Sequence, residues 1–281
     1  MPFNSVDPVS DSKTIIDPND KNASPHGWHE SSASFTNTQG NNARVFTIVQ
    51  GNKRYFAEGG KKLQFLSGFQ KDKSPPDNRD ASITNLFYVI NMMHDLSYEY
   101  GFTPASGNFQ YLNYGQPGKE KDGVIARSQV SSSFNDAHFA TTPDGEPGEM
   151  SLYLFDKTHP LRDSAMENDI TIHEYQHGVT NRLTGGAANA DCLEEDISSG
   201  LDEGWSDAMA IFISRNTSHT RNDDVTMGNY VFDGANMRTM PYSTNLERNN
   251  LKCIFLYPPH SLDSSLNNRK ESHEIGEIWV F

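Results

Sequence analysis

His173-Glu174-Tyr175-Gln176-His177 limits what this chain can become more than any other stretch of its 281 residues. Residues four apart on an α-helix lie one turn above each other on one face. His173 and His177 can therefore aim two imidazoles at a single metal ion. Glu174, about 100° further round, reaches a water on that ion without ligating it. The flanking sequence favours a helix with a buried side: Ile170 and Ile172 precede the motif, Val179 and Leu183 follow, and Gly185-Gly186 stops it. An apolar helix carrying two histidines and a glutamate needs something to satisfy those polar groups. Zinc suits them, because it takes nitrogen and oxygen ligands tetrahedrally and keeps one position open for water.

A third protein ligand is then required. Gly200-Leu-Asp-Glu-Gly-Trp-Ser-Asp-Ala-Met-Ala210 sets Glu203 and Asp207 four apart on a second expected helix, with Trp205, Met209, Ile211 and Phe212 available for packing. A carboxylate ligand followed one turn later by another carboxylate is what such a site needs. The outer one accepts the free N–H of a ligating histidine and fixes its tautomer and direction. E-x-x-x-D alone describes many solvated helix faces. The short distance from H-E-x-x-H is what makes these two residues candidates.

Taken together, H-E-Y-x-H-G-V-T-N-R-L-T-G-G over residues 173–186 and G-x-x-E-G-W-S-D over 200–207 resemble the fungalysins, secreted fungal and bacterial zinc metalloproteases related to thermolysin. Ordered matches extend over most of the chain, at residues 24–29, 85–95, 100–109, 135–145, 241–245 and 273–279. The resemblance implies an α+β, thermolysin-like fold. Its N-terminal, mainly β lobe spans 1–184 and ends in the zinc-binding helix; a mainly helical C-terminal lobe spans 185–281 and is incomplete at Phe281. It implies one Zn²⁺ per chain on His173, His177 and Glu203, with Glu174 as general base and His273 as donor to the oxyanion. Asp207 is the implied orienter of His173, and Asn181 the implied partner of His177. Asn135, Ala137 and Phe139 resemble the edge strand along which an extended peptide is held. Arg238 lies in a segment like the family's substrate side, where it bonds a peptide carbonyl or a backbone carbonyl of its own chain. The implied activity is endopeptidase hydrolysis of extracellular proteins by a secreted enzyme whose precursor, a zymogen, carries an N-terminal propeptide. A catalytically silent, truncated relative that binds peptides in the same groove is the alternative. Two departures stand out: Gln176, where a smaller residue is expected, and residues 252–262, which leave the family pattern.

Composition narrows the partners. Net charge is −14, and no Lys/Arg run or basic stripe is present, which argues against nucleic acid and anionic membranes. No apolar run approaches membrane-spanning length. Met1-Pro-Phe-Asn-Ser-Val6 lacks the basic flank and apolar segment of a signal peptide, so secretion rests on the resemblance alone. Cys192 and Cys253 permit one disulfide without establishing it.

Along the chain, residues 1–45 are polar and read as a wrapping segment. Residues 44–49 alternate like a strand and turn at Gly51-Asn52 into a hairpin with 54–56. Residues 71–79, with Pro75-Pro76, read as a loop. Leu86, Phe87, Ile90, Met93 and Leu96 predict a helix over 81–100, ended by Gly101. His94-Asp95 near its end reads as a hydrogen-bonded structural pair and stays outside the site. Strands and turns follow over 107–155, with a buried strand at 150–155 before the motif helix. The helix carrying Glu203 is expected to run to about Arg215. Asn222-Asp223-Asp224 and Asp233-Gly234 are oxygen-rich, as calcium loops are, but read as solvated turns. His273 opens a last helical pattern, on which Ile275, Ile278, Trp279 and Phe281 are expected to present apolar faces without partners.

Overall fold

In the computed structural model, which describes residues 1–5, 7–9, 13–249 and 271–280, the first alternating run becomes β1 (Ala43–Val49). Gly51 and Asn52, both with positive φ, turn it back into the short antiparallel β2 (Lys53–Tyr55). The loop that follows closes with a single 3-10 turn at Pro75–Asn78, which feeds directly into α1 (Arg79–Glu99). That turn is why the helix starts two residues before the expected 81. Ile83, Leu86, Phe87, Ile90 and Met93 recur at helical spacing and are all buried.

β3 (Val124–Phe134) lies parallel to β1, so α1 is part of the crossover that parallel strands require. β5 (Glu149–Phe155) is parallel to β3, and β4 (Ala137–Ala140) and β6 (Arg162–Asp163) pair antiparallel with β5. Among the described residues the sheet runs β2-β1-β3-β5-β4, with β4 at one edge. Val45, Val124, Ala126, Met150 and Leu152 of the sheet share one core with α1 and with Ile172, Tyr175 and Val179 of α2 (Asn168–Thr184). α2 is buried almost all round, polar residues included, because α1, the sheet and α3 (Asp196–Ser214) enclose it. α3 begins four residues before the point where its sequence motif does. α4 (Ser272–Trp279) crosses α3 and completes the described chain.

One expectation changes. Ile275 and Ile278 are buried, because α4 packs onto α3 at a glycine, Gly200, that lets the Ile275 side chain approach. Cys192 is exposed, while Cys253 and the off-pattern stretch 252–262 lie outside the described residues. His94 is buried as a hydrogen-bonded residue: Nδ1 sits 2.9 Å from Asp95 Oδ1, and Asp95 in turn accepts from Ser24 Oγ and Trp28 Nε1.

Candidate metal centre

α2 holds His173 and His177 with their rings edge to face, centroids 4.6 Å apart and Nε2 atoms 3.0 Å apart. Each ring has its other nitrogen on a carboxylate of α3. His173 Nδ1 lies 2.7 Å from Asp207 Oδ1, and His177 Nδ1 lies 2.7 Å from Asp202 Oδ2. A carboxylate only accepts, so both Nδ1 atoms carry a proton, which leaves each Nε2, when unprotonated, to present its lone pair inward. At this distance a proton on one Nε2 would bridge the pair, and with both unprotonated the two lone pairs would converge on a cation between them.

Glu203 closes the group. Its Oε2 is 3.1 Å from His173 Nε2 and 3.7 Å from His177 Nε2. Zinc bonds of about 2.0–2.2 Å at tetrahedral angles separate ligand atoms by roughly 3.3–3.6 Å, so the three donors match the ion in kind and in spacing. A second trio, His173, Glu203 and His273, also brings its ligand atoms together; the first, with no pair beyond 3.7 Å and both far nitrogens on α3 carboxylates, is preferred. Burial alone would push the Glu203 carboxyl up, but the His173 and His273 imidazoles beside Oε2, at 3.1 and 2.9 Å, outweigh it and hold it well below the usual range. Burial would likewise pull the His173 imidazole down, and the carboxylates of Asp207 and Glu203 reverse that.

Asp207 is the most supported side chain of the site. Arg238 grips it bidentately, Nε to Oδ2 and Nη2 to Oδ1 at 2.7 Å each, and Tyr242 O–H donates to Oδ2. The guanidinium that sequence placed near substrate is thus engaged by a carboxylate of its own chain. Asn181 reaches the His177 ring only indirectly: its amide donates to Asp202 Oδ2 at 2.8 Å and to the His177 backbone carbonyl. No motif pointed to Asp202. The only signal was its place one residue before Glu203, where an acidic residue reads as a solvated charge.

Glu174 is buried beside the group, and its Oε2 has no hydrogen-bond partner among the described residues. Burial raises its carboxyl above the ordinary value, while the nearby His173 and His177 pull it down. His273 comes from α4. Its Nε2 is 2.9 Å from Glu203 Oε2, its Nδ1 meets Glu271 Oε1, and its ring stacks on His173 with centroids 6.0 Å apart. Burial would pull this imidazole down, but Glu203 and Glu271 hold it up at about 9. Its position depends on a close helix crossing. A Cβ on Gly276 would stand 2.7 Å from Glu203 Cβ and 2.9 Å from the Gly200 carbonyl oxygen.

The edge-strand residues divide. Ala137 and Phe139 lie on β4, paired with Leu152 and Met150, and the Phe139 ring packs on Phe109 and Tyr175 toward α2. Asn135 precedes the strand in a left-handed conformation, its side chain exchanging hydrogen bonds with Asp156.

The whole of residues 1–281 matches the family described as Fungalysin metallopeptidase (M36). The chain is 40% identical over 281 residues to the extracellular metalloproteinase mep of Aspergillus flavus, covering 98% of this chain and 43% of that protein. It is 40% identical over 286 residues to extracellular metalloproteinase 9 of Coccidioides posadasii (99% and 43%), and 41% identical over 272 residues to extracellular metalloproteinase 5 of Trichophyton tonsurans (95% and 43%). The chain therefore spans less than half the length of these relatives. No helix among the described residues is long and apolar enough to cross a membrane.

Proposed function

This chain belongs to the fungalysin metallopeptidase family, and we propose that it acts as a secreted, zinc-dependent endopeptidase on extracellular proteins. The observation that carries the reading is the convergence of His173 Nε2, His177 Nε2 and Glu203 Oε2 at 3.0–3.7 Å, with the far nitrogen of each imidazole on a carboxylate. These three side chains hold one Zn²⁺. Zinc bound there supplies Lewis acidity, which polarises a carbonyl and makes water a competent nucleophile near neutral pH.

The remaining roles fall to the protein. Glu174 Oε2, buried and unpartnered, takes the proton released as water attacks the scissile carbonyl carbon and returns it to the leaving amine nitrogen. His273 Nε2–H, resting on Glu203 in this structure, donates to the carbonyl oxygen as negative charge gathers there. β4 lies at the edge of the sheet, so its main chain is placed to pair with an extended peptide. Phe139 faces the core, so backbone groups rather than that ring make the contact.

The test measures zinc content and casein cleavage on one sample, with and without 1,10-phenanthroline. The parent chain is expected to hold near-stoichiometric zinc and to lose cleavage to the chelator. Glu174→Gln should keep the zinc and lose about 10²–10⁴-fold in turnover. A variant that still cleaves at the parent rate removes Glu174 as the base, and a folded chain that takes up no zinc removes the reading.

A further inference from the structure

His177, Thr180 and Asn181 follow one another at i, i+3 and i+4 and therefore share one face of α2. All three meet the carboxylate of Asp202. His177 Nδ1–H donates to Oδ2 at 2.7 Å, Asn181 Nδ2 donates to Oδ2 at 2.8 Å, and Thr180 Oγ1 donates to Oδ1. Ser206 Oγ, one turn further along α3, lies 3.3 Å from the same His177 nitrogen. Asp202 is buried, and a buried carboxylate is costly unless donors surround it. Here one turn of α2 supplies them all.

The two histidine arms differ in charge. Asp207, behind His173, is offset by the bidentate guanidinium of Arg238. Asp202, behind His177, is met by an amide, a hydroxyl and an imidazole, and forms no ion pair with Lys or Arg among the described residues. Its negative charge thus acts on His177 without a counter-charge. We propose that Asp202 is a positioning residue for the metal: it fixes the tautomer that turns His177 Nε2 inward and makes His177 the more strongly donating of the two imidazoles. The proposal rests on the zinc reading above.

Three measurements on the full chain test it. Zinc affinity is titrated against a chromophoric chelator at one pH, the visible spectrum is recorded with Co²⁺ in place of zinc, and the metal-free protein is melted. Asp202→Ala is expected to bind zinc about 10–100-fold more weakly. Asp202→Asn should recover part of this, because its carbonyl still accepts from Nδ1–H, yet it should shift the Co²⁺ bands through the lost charge. A purely structural Asp202 would lower the metal-free melting temperature and leave the Co²⁺ spectrum alone. If both variants hold zinc within about twofold of the parent and give its Co²⁺ spectrum, the proposal fails while the zinc reading stands. If the parent itself takes up no zinc, the zinc reading fails and this proposal with it.

Discussion

Arg182 shows how much one side chain can be asked to do. It is fully buried, with Nη1 donating to Asp122 Oδ2 at 2.6 Å and to the Gly107 carbonyl, and Nε and Nη2 donating to the carbonyls of Thr142, Pro143 and Glu146. Its guanidinium also lies 4.1 Å over the Phe109 ring. The C-terminal end of α2 is pinned by these bonds, five residues past His177. Arg182→Leu would leave Asp122 buried without its counter-charge, so stability should fall by about 3–5 kcal/mol in urea unfolding. A loss under about 1 kcal/mol would mean that Asp122 finds another way to be satisfied. None of this was readable from sequence, where a lone Arg late in a helix looks like a surface residue. What identifies it is Asp122, 60 residues away. The same holds for the support of the candidate metal centre. Spacing within H-E-x-x-H says that two imidazoles share a face, because that relation is local. It says nothing of Asp202, or of Arg238 and Tyr242 reaching Asp207 across 31 and 35 residues, because the crossing of separate elements creates those contacts.

Helix on helix, the crossing of α3 and α4 sets the geometry. Gly200 and Gly276 let the two backbones approach so closely that a methyl group at Gly276 would meet Glu203 Cβ at 2.7 Å and the Gly204 nitrogen at 2.8 Å. Gly276→Ala is therefore expected to push α4 outward and carry His273, one turn earlier, off Glu203. Turnover should fall about 10²-fold, as a misplacement near 1 Å can cost, while zinc content stays that of the parent. Peptidase assays beside zinc analysis check this; undiminished turnover would show that α4 absorbs the methyl without moving His273. Strand, hairpin and helix periods made β1, β2, α1 and α2 legible within a few residues. The partners of Ile275 and Ile278 were not, since a pattern shows which residues seek burial and not what buries them. α3 also starts earlier than expected, because residues 196–199 carry no apolar period of their own.

Across the whole molecule, net charge is −14, yet three carboxylates, Asp163, Glu167 and Asp169, are buried near the start of α2. Burial raises all three, Asp169 to about 6, and Glu167 is raised further by the charge of Asp169. With folded values above unfolded ones, the native state binds more protons than the unfolded chain between about pH 4 and 6. The stability these groups contribute is full below the unfolded value and is lost as pH rises through the folded one. Glu167→Gln, neutral at every pH and able to accept from the Val231 N–H as Glu167 does, should therefore raise the melting temperature at pH 8 and change it little at pH 4. Thermal scans at both values decide it, and a gain confined to pH 4 would reverse the sign. The distribution of the site along the chain has a consequence of its own. The groups proposed to hold the ion come from α2 and α3, whereas the proposed oxyanion donor arrives on α4, some seventy residues after Glu203 in order of synthesis. In the proposed enzyme, capture of the metal and competence to cut thus become successive events in the life of each molecule. A chain still folding would be loaded but not yet armed, and the docking of one short helix would separate the two conditions.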